Sequence, residues 1–444
     1  MKKYFVISAL LIILTANVSC EKFLAEKPKK SILVPQSKED VRYLLDYYTT
    51  LNENPLLNFT LSDDWITTTP NWEGLNPWFQ NSYLWKEEIF AHGERSTDFS
   101  RLHRKVFYAN ICLDILGKIG GNGDSEVSSL RGEALFVRAA ALFYLAKLFL
   151  PHPDGGPDTD NMQIPIQLSA DVNAKAEWMT IKNILDRIEA DLTEAYSVIE
   201  QKAAFKTRPD KVTVKALLSR FYLYSGNYGA SLDAANSVLN STYKLLNYAE
   251  LSAGKPYPFT LFNEESIYYG YHSNYLVTDG PASYINPDLY ADYVDNDFRK
   301  QLFFKLDAGG KPLFKGSYTG GFSLFTGITY SEILLNAAES AVRLGRIDEG
   351  MGLLNTLAQK RYKDLKVWTE NIGPDPLETV MRERRRELVF RGTRWMDMKR
   401  LAAKGELQLP ISREIRGVVY RLENDRQFTL SLPLFELELE NKFN

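Results

Sequence analysis

The sequence predicts a mainly α-helical protein, a scaffold of stacked helical hairpins carrying a loop-rich, aromatic-rich half. Three observations predict this. Apolar residues recur at spacings of three and four over long stretches that end in Gly or Pro. One helix–turn–helix plan occurs twice, 119 residues apart. Segments 52–84 and 242–329 lose that period and gain Trp, Tyr, Asn, Asp and Pro.

At the N-terminus, Met1, Lys2 and Lys3 precede an apolar run over residues 4–14, the length of a signal-peptide core and too short to span a bilayer. Ser19 stands directly before Cys20, with Asn17 where Leu is commonest. A small residue before a cysteine at the end of such a run is where a lipoprotein signal peptidase cuts. Residues 1–19 are therefore expected to be a lipoprotein signal peptide and Cys20 the lipidated residue. Each buried acyl methylene contributes roughly 0.8 kcal/mol, so two or three chains make a stable anchor. Residues 20–36, punctuated by Pro28 and Pro35, read as an extended tether, and 37–444 as a single domain.

Ser37, Glu39 and Asp40 mark a helix start that continues through Val41, Leu44, Leu45 and Tyr48. Residues 52–84 are loop-like and hold Trp65, Trp72 and Trp78. Helices follow over about 97–118, 131–150 and 180–200. The duplicated plan comes next, over 214–224 and 228–239, then over 330–344 and 347–361. Gly226 aligns with Gly345, Tyr228 with Ile347, Leu232 with Met351 and Asn236 with Asn355. A small residue stands five past each glycine, Ser231 or Gly350. The glycine ends one helix in a conformation other residues resist, and the small residue lets two antiparallel helices approach. This is a tetratricopeptide-like hairpin, which must stack on others to bury its faces. Stretches 97–150 and 184–200 read as degenerate further units, so the repeats lie mainly within 97–240 and 330–362. Segment 242–329 is long loop with a few short strands and a helical stretch near 287–294. Its aromatic content argues against disorder.

Composition excludes several functions. Lys+Arg 53 against Asp+Glu 56 gives a net charge of -3 and no basic face, so no nucleic-acid partner is expected. With Cys20 lipidated, Cys112 has no disulfide partner and reads as a buried small hydrophobe. His92, His103, His152 and His272 do not pair with one another or with Cys at metal-ligand spacing, so neither a metal site nor a cofactor is expected. A tethered glycosidase would need two carboxylates across one sugar. The adjacent pairs Asp63-Asp64 and Glu264-Glu265 would point apart in extended chain, and no nucleophile elbow or phosphate loop is present, so no catalytic residue is expected.

Residues 381–400 are the densest motif. Glu383 and Glu387 lie one turn apart, and Arg384, Leu388 and Arg391 share a row. Arg394 is expected to pair with Asp397, within one ion-paired helix over 377–402. The segment resembles the Glu-Arg-Arg-x-Glu-Leu-x-Phe-Glu-Gly-His-Arg-aromatic-x-Asp-Leu-Lys-Arg pattern of the SusD/RagB family of outer-membrane nutrient-binding lipoproteins. Glu383, Arg384, Arg385, Glu387, Leu388, Phe390, Gly392, Arg394, Trp395, Asp397, Lys399 and Arg400 match; Arg391 stands where Glu is usual and Thr393 where His is usual. Further matches run through the chain in order. They are Cys20 to Leu24 with Pro28, Tyr108 to Ile111, Arg131 to Ala134 with Arg138 and Tyr144, Asn286-Pro287 with Asp297 and Arg299, Ala338-Glu339-Ser340, and Leu432-Pro433 with Glu436, Leu437 and Asn441.

The resemblance implies about four tetratricopeptide-like units supporting a loop-rich binding half. It also implies a lipid-anchored protein on the outer face of the outer membrane, capping a SusC-like TonB-dependent transporter. There it would capture oligosaccharides, or in some branches peptides, without bond-breaking chemistry. Sugar binding needs flat aromatic faces and planar polar side chains. Trp65, Trp72 and Trp78 meet that need beside Asp63, Asp64, Asn71, Asn76 and Gln80, as do Tyr271, Tyr275 and Tyr284. These six aromatics are the expected ligand-binding residues. The competing reading is a tetratricopeptide-type envelope adaptor, whose protein ligand would lie in a helical groove and leave the aromatic loops without a task.

Overall fold

Ser37 opens the first helix, α1 (Lys38–Leu45), with a capping box: its Oγ accepts from the Asp40 amide at 3.1 Å and its own amide donates to the Asp40 carboxylate at 3.0 Å. The computed structural model describes residues 35–120, 123–156, 159, 161–273, 283–435 and 437. The expected signal peptide, Cys20 and the expected tether up to residue 34 lie outside the described residues. From Ser37 onward the chain forms one unit.

Helices α2 (Thr97–Ile119), α3 (Ser125–Phe149), α4 (Ile181–Val198), α5 (Lys211–Tyr224), α6 (Tyr228–Leu239), α7 (Tyr330–Arg343) and α8 (Ile347–Arg361) each pack on the next in chain order. This continuous stack of hairpins is the expected tetratricopeptide-like scaffold. Helix α3 starts well before residue 131, because Asp124 caps it by accepting from the Glu126 and Val127 amides. It is buried on nearly every face, so it shows no amphipathic stripe that would have marked its first turns.

The duplicated hairpins share the backbone geometry of their turns. Gly226 and Gly345 sit at φ +80° and +77°. The amide after each glycine donates back into the helix just ended, Asn227 to Tyr222 O at 2.9 Å and Arg346 to Ala341 O at 2.8 Å. The small residues mark one shared point of closest approach. Ser231 Oγ donates to Ser219 O at 3.0 Å, and a Cβ added at Gly350 would lie 2.8 Å from Ala338 O. Ser219 and Ala338 are themselves equivalent at the repeat offset.

The C-terminal motif differs from the single helix expected over 377–402. It forms two helices, α9 (Pro376–Glu387) and α10 (Arg394–Ala403), because Phe390 and Gly392 adopt φ +53° and +72° between them. The turn seats the Phe390 ring 4.8 Å from that of Phe314 and lays Gly392 against Phe59. It also re-aims the charges. Asp397 pairs with Arg384 at 2.8 Å and Arg400 at 2.9 Å, not with Arg394. Arg400 continues to Glu339 on α7 at 2.5 and 2.7 Å.

A second buried ionic cluster ties the repeats to the loop half. Arg299 meets Asp297, Glu383 and Glu387, and Arg361 meets Glu265 and Glu387. Removing one member of such a cluster leaves a buried unpaired charge, at a cost of about 3–5 kcal/mol.

The two loop-rich segments are woven together by short antiparallel ladders. Trp65 pairs with Ile285 and Ile66 with Tyr284; Tyr271–His272 pairs with Leu324–Phe325. Segment 52–84 also contains short helices at Leu57–Thr60, Thr69–Glu73 and Pro77–Tyr83.

Candidate ligand-binding site

A cleft of about 380 Å³ opens where segment 52–84, the start of α2 and the strand Tyr271–His272 converge. That size suits a small-molecule ligand. Half-buried Trp78 and Phe90 supply its aromatic lining. Pro77 begins the short helix bearing Trp78, with its fixed φ suited to a first helical turn, and the Trp78 ring leans on Phe79 at 5.3 Å.

Arg101 anchors the polar side. Its guanidinium lies 3.2 Å from Glu53 and 3.6 Å from Asp98. Both carboxylates have further duties: Glu53 Oε1 accepts from Ser273 Oγ at 2.8 Å and Asp98 Oδ2 from the Leu57 amide at 2.9 Å. Asp98 also sits in the first turn of α2, where a negative charge complements the helix dipole.

His272 Nδ1 lies 2.7 Å from Asn54 O. A carbonyl can only accept, so Nδ1 carries the proton and Nε2 is the acceptor. Burial lowers the His272 pKa, which favours this neutral ring. Behind it, Lys105 Nζ donates to Asn54 Oδ1 at 3.0 Å, and burial, then the Arg101 charge, lower the lysine to about 7. The cleft thus offers flat apolar faces beside planar donors and acceptors, the combination that holds a ring bearing several hydroxyls.

The sequence matches the family described as starch-binding associating with outer membrane over residues 22–223, and the SusD family over residues 317–426. The chain belongs to the SusD family. It is 22% identical to the SusD-like protein P2 of Formosa agariphila, over 95% of this chain and 88% of that protein. Among solved structures it resembles a SusD superfamily protein from Bacteroides fragilis, with TM-score 0.73 and 20% identity over 93% of this chain and 99% of that one. A SusD-like carbohydrate binding protein from Bacteroides vulgatus gives TM-score 0.66 and 17% identity, covering 92% and 97%.

In this SusD-family chain the expected site aromatics divide. Trp78 lines the cleft. Tyr271 stands at its rim, its backbone bridged to Glu53. Tyr284 is half-buried on its strand, with Lys311 Nζ 4.7 Å from its ring. Tyr275 lies outside the described residues. Trp65 is corrected from ligand contact to core: it is 0% exposed, its Nε1 donates to Phe59 O at 2.8 Å, and Tyr83 and Phe79 cover its ring. Trp72 is 9% exposed and pins its own loop, its Nε1 donating to Gln80 O at 3.2 Å.

Asp63 and Asp64 are likewise structural. Burial opposes ionisation of Asp63, but Arg394 and Arg385 outweigh it and hold the carboxyl far below the usual range. The sequence reading missed Phe90, Asp98 and Arg101, which lie between its two binding segments, and Glu53, hidden among ordinary loop polars. Ser96 and Asp98 carry a helix-start signal that could have flagged the α2 N-terminus as a polar edge.

Proposed function

We propose that this protein captures oligosaccharides in the Trp78 cleft at the cell surface and passes them to a SusC-like TonB-dependent outer-membrane transporter. The observation that carries the reading is convergence. Two loop-rich segments far apart in sequence meet at one open cleft with aromatic walls and an Arg101-centred polar side. The family's description as starch-binding and the carbohydrate-binding description of the B. vulgatus structure support a glycan over a protein ligand. Membrane attachment in this reading rests on the lipid at Cys20, with the binding half facing the exterior; no described helix is long and apolar enough to cross a membrane. Glu53 and Asp98 act as hydroxyl acceptors, and the protein binds without cleaving.

Calorimetry against a panel of oligosaccharides and peptides tests this. A glycan should bind, and Trp78→Ala should weaken it at least about tenfold, or 1.4 kcal/mol. Binding to peptides alone, or hydrolysis of the bound glycan, would replace the reading. The transporter step is tested by purifying the lipidated protein from detergent-solubilised outer membranes. Failure to recover a TonB-dependent barrel in stoichiometric amount removes that step.

A further inference from the structure

A cavity of about 450 Å³ opens where the connection between α4 and α5 meets the segment that leaves α6. It shares no lining residue with the Trp78 cleft. Its walls are polar, with Gln201, Lys202, Lys206, Ser241, Thr242 and Tyr243 around the opening.

Two acids border this space, and both are already occupied. Asp210 caps α5: one carboxylate oxygen accepts from the Thr213 amide at 2.8 Å and the Thr213 hydroxyl at 2.9 Å, and the other from the Ala203 amide at 3.3 Å. Glu264 takes the Lys244 ammonium at 2.9 Å.

The two lysines of the wall are not matched in this way. Lys206 Nζ donates to two backbone carbonyls, Asn263 O and Ser266 O, each at 2.7 Å. Carbonyls fix its position but bring no net negative charge. An ammonium has three N–H donors, so one is left for a ligand. Burial lowers the Lys206 pKa, and the Glu264 charge offsets this only in part. The ammonium is therefore short of a counter-charge. Lys202, exposed at the lip, makes no ion pair among the described residues. The first turn of α5 reaches the same wall through Val212, which adds the partial positive charge of a helix start.

The cavity thus joins two under-compensated cations to neutral hydroxyl and amide groups. An anion in it would supply the charge that the acids of the wall withhold. The volume is more than a bare oxyanion fills and lies in the range of small-ligand pockets. We propose that this cavity is an anion site separate from the Trp78 cleft, in which Lys202 and Lys206 hold the phosphate or sulfate group of a soluble, sugar-sized monoester. Gln201, Ser241 and Thr242 serve the hydroxyls of the ring that carries it. The inference rests on this cavity alone and not on the glycan reading of the cleft.

Calorimetry on the full chain at low salt tests this, with glucose 6-phosphate, glucose 6-sulfate and glucose as ligands. At least one ester should bind about tenfold or more tightly than glucose. Lys202→Ala, an exposed substitution that the fold tolerates, should weaken that ester about fivefold. Lys206→Gln should weaken it at least about tenfold, since it removes a charge-assisted bond. Glu264→Gln removes the acidic charge beside Lys206 and should tighten the ester about twofold, a gain that loss of folding cannot produce. Lys215→Ala, on α5 but outside the cavity, should leave it unchanged. The site falls if neither ester outbinds glucose, or if Lys202→Ala and Glu264→Gln both leave affinity as it was. It falls too if Lys215→Ala weakens the ester as much as Lys202→Ala, which shows diffuse surface charge. Retention by phosphatidate vesicles without binding of either free ester puts the anion on a membrane and overturns the soluble ligand. The cleft is tested apart from this, through neutral glycans and Trp78→Ala, so either reading can fail alone.

Discussion

Arg394 places Nε and Nη2 on the Asp63 carboxylate at 2.6 and 2.8 Å, although 331 residues separate the two in sequence. Arg385 adds contacts of 3.1 Å to both Asp63 and Asp64. The C-terminal helices thereby hold the loop segment that goes on to carry Trp78. Arg394→Met leaves a buried carboxylate short of its main partner and should cost about 3–5 kcal/mol of stability in urea unfolding. Adding Asp63→Asn should recover part of that loss, giving a coupling of at least about 1 kcal/mol in the double-mutant cycle. Strict additivity would show the bidentate pair to be energetically idle.

Acid should attack the ionic clusters. Burial opposes ionisation of Glu339 and Glu383, yet their arginine partners outweigh it: Arg400 at Glu339, then Arg386 and Arg299 at Glu383, hold both carboxyls at about 2 against an ordinary 4.5. A carboxyl whose folded pKa is depressed contributes stability that is fully present above its unfolded pKa and is lost as pH falls through the folded one. The contribution of these two groups should therefore be level above pH 4.5 and be lost between 4.5 and about 2. Each group accounts for on the order of 3 kcal/mol. Glu339→Gln should flatten this limb while lowering stability at neutral pH. Chemical denaturation across pH checks it, and a limb of unchanged slope counts against the assignment.

The hairpins were legible because their signals are local. Gly226 and Gly345 each end a helix by a backbone requirement that reaches only a few residues. The partner of Arg394 was not. Arg394 and Asp397 do share α10, but Asp397 is taken by Arg384 and Arg400, and Arg394 reaches a carboxylate in a distant segment that no local rule points to. Trp65 and Trp78 looked alike in composition. What separates them is distant: residues 284–285 pair with Trp65 and Ile66 and draw that tryptophan inward, while Trp78 stays at a surface finished by residues 272–273. Glu53, Asp98 and Arg101 become a group only when a loop, a helix start and a strand end meet.

Helix α8 offers a paired test of the close approach between repeat helices. A Cβ at Gly350 would lie 2.6 Å from Val342 Cγ2 and 2.8 Å from the Ala338 carbonyl, whereas one at Gly352 meets nothing within 4 Å. Gly350→Ala should destabilise by about 1–3 kcal/mol through overpacking. Gly352→Ala, two residues along the same helix, should stabilise by about 0.5–1 kcal/mol by removing the glycine's entropy cost. Urea midpoints moving in the same direction for both would contradict the geometry.

Trp65 and Trp78 separate folding from binding in one experiment. Trp65 fills the core behind the site and gives its indole N–H to a backbone carbonyl, so Trp65→Ala leaves a cavity and removes that bond. It should cost about 3–5 kcal/mol of stability, as large buried aromatics do. Its effect on affinity per folded molecule should be small, because it presents no surface to a ligand. Trp78 is half-buried at the cleft edge, so Trp78→Ala should do the reverse, with a modest stability loss and a large affinity loss. Unfolding curves and calorimetry on the same two preparations read both quantities. If Trp65→Ala weakens ligand binding as strongly as Trp78→Ala at equal folded concentration, the cleft floor must move with Trp65, and the division between core and contact tryptophans would have to be redrawn.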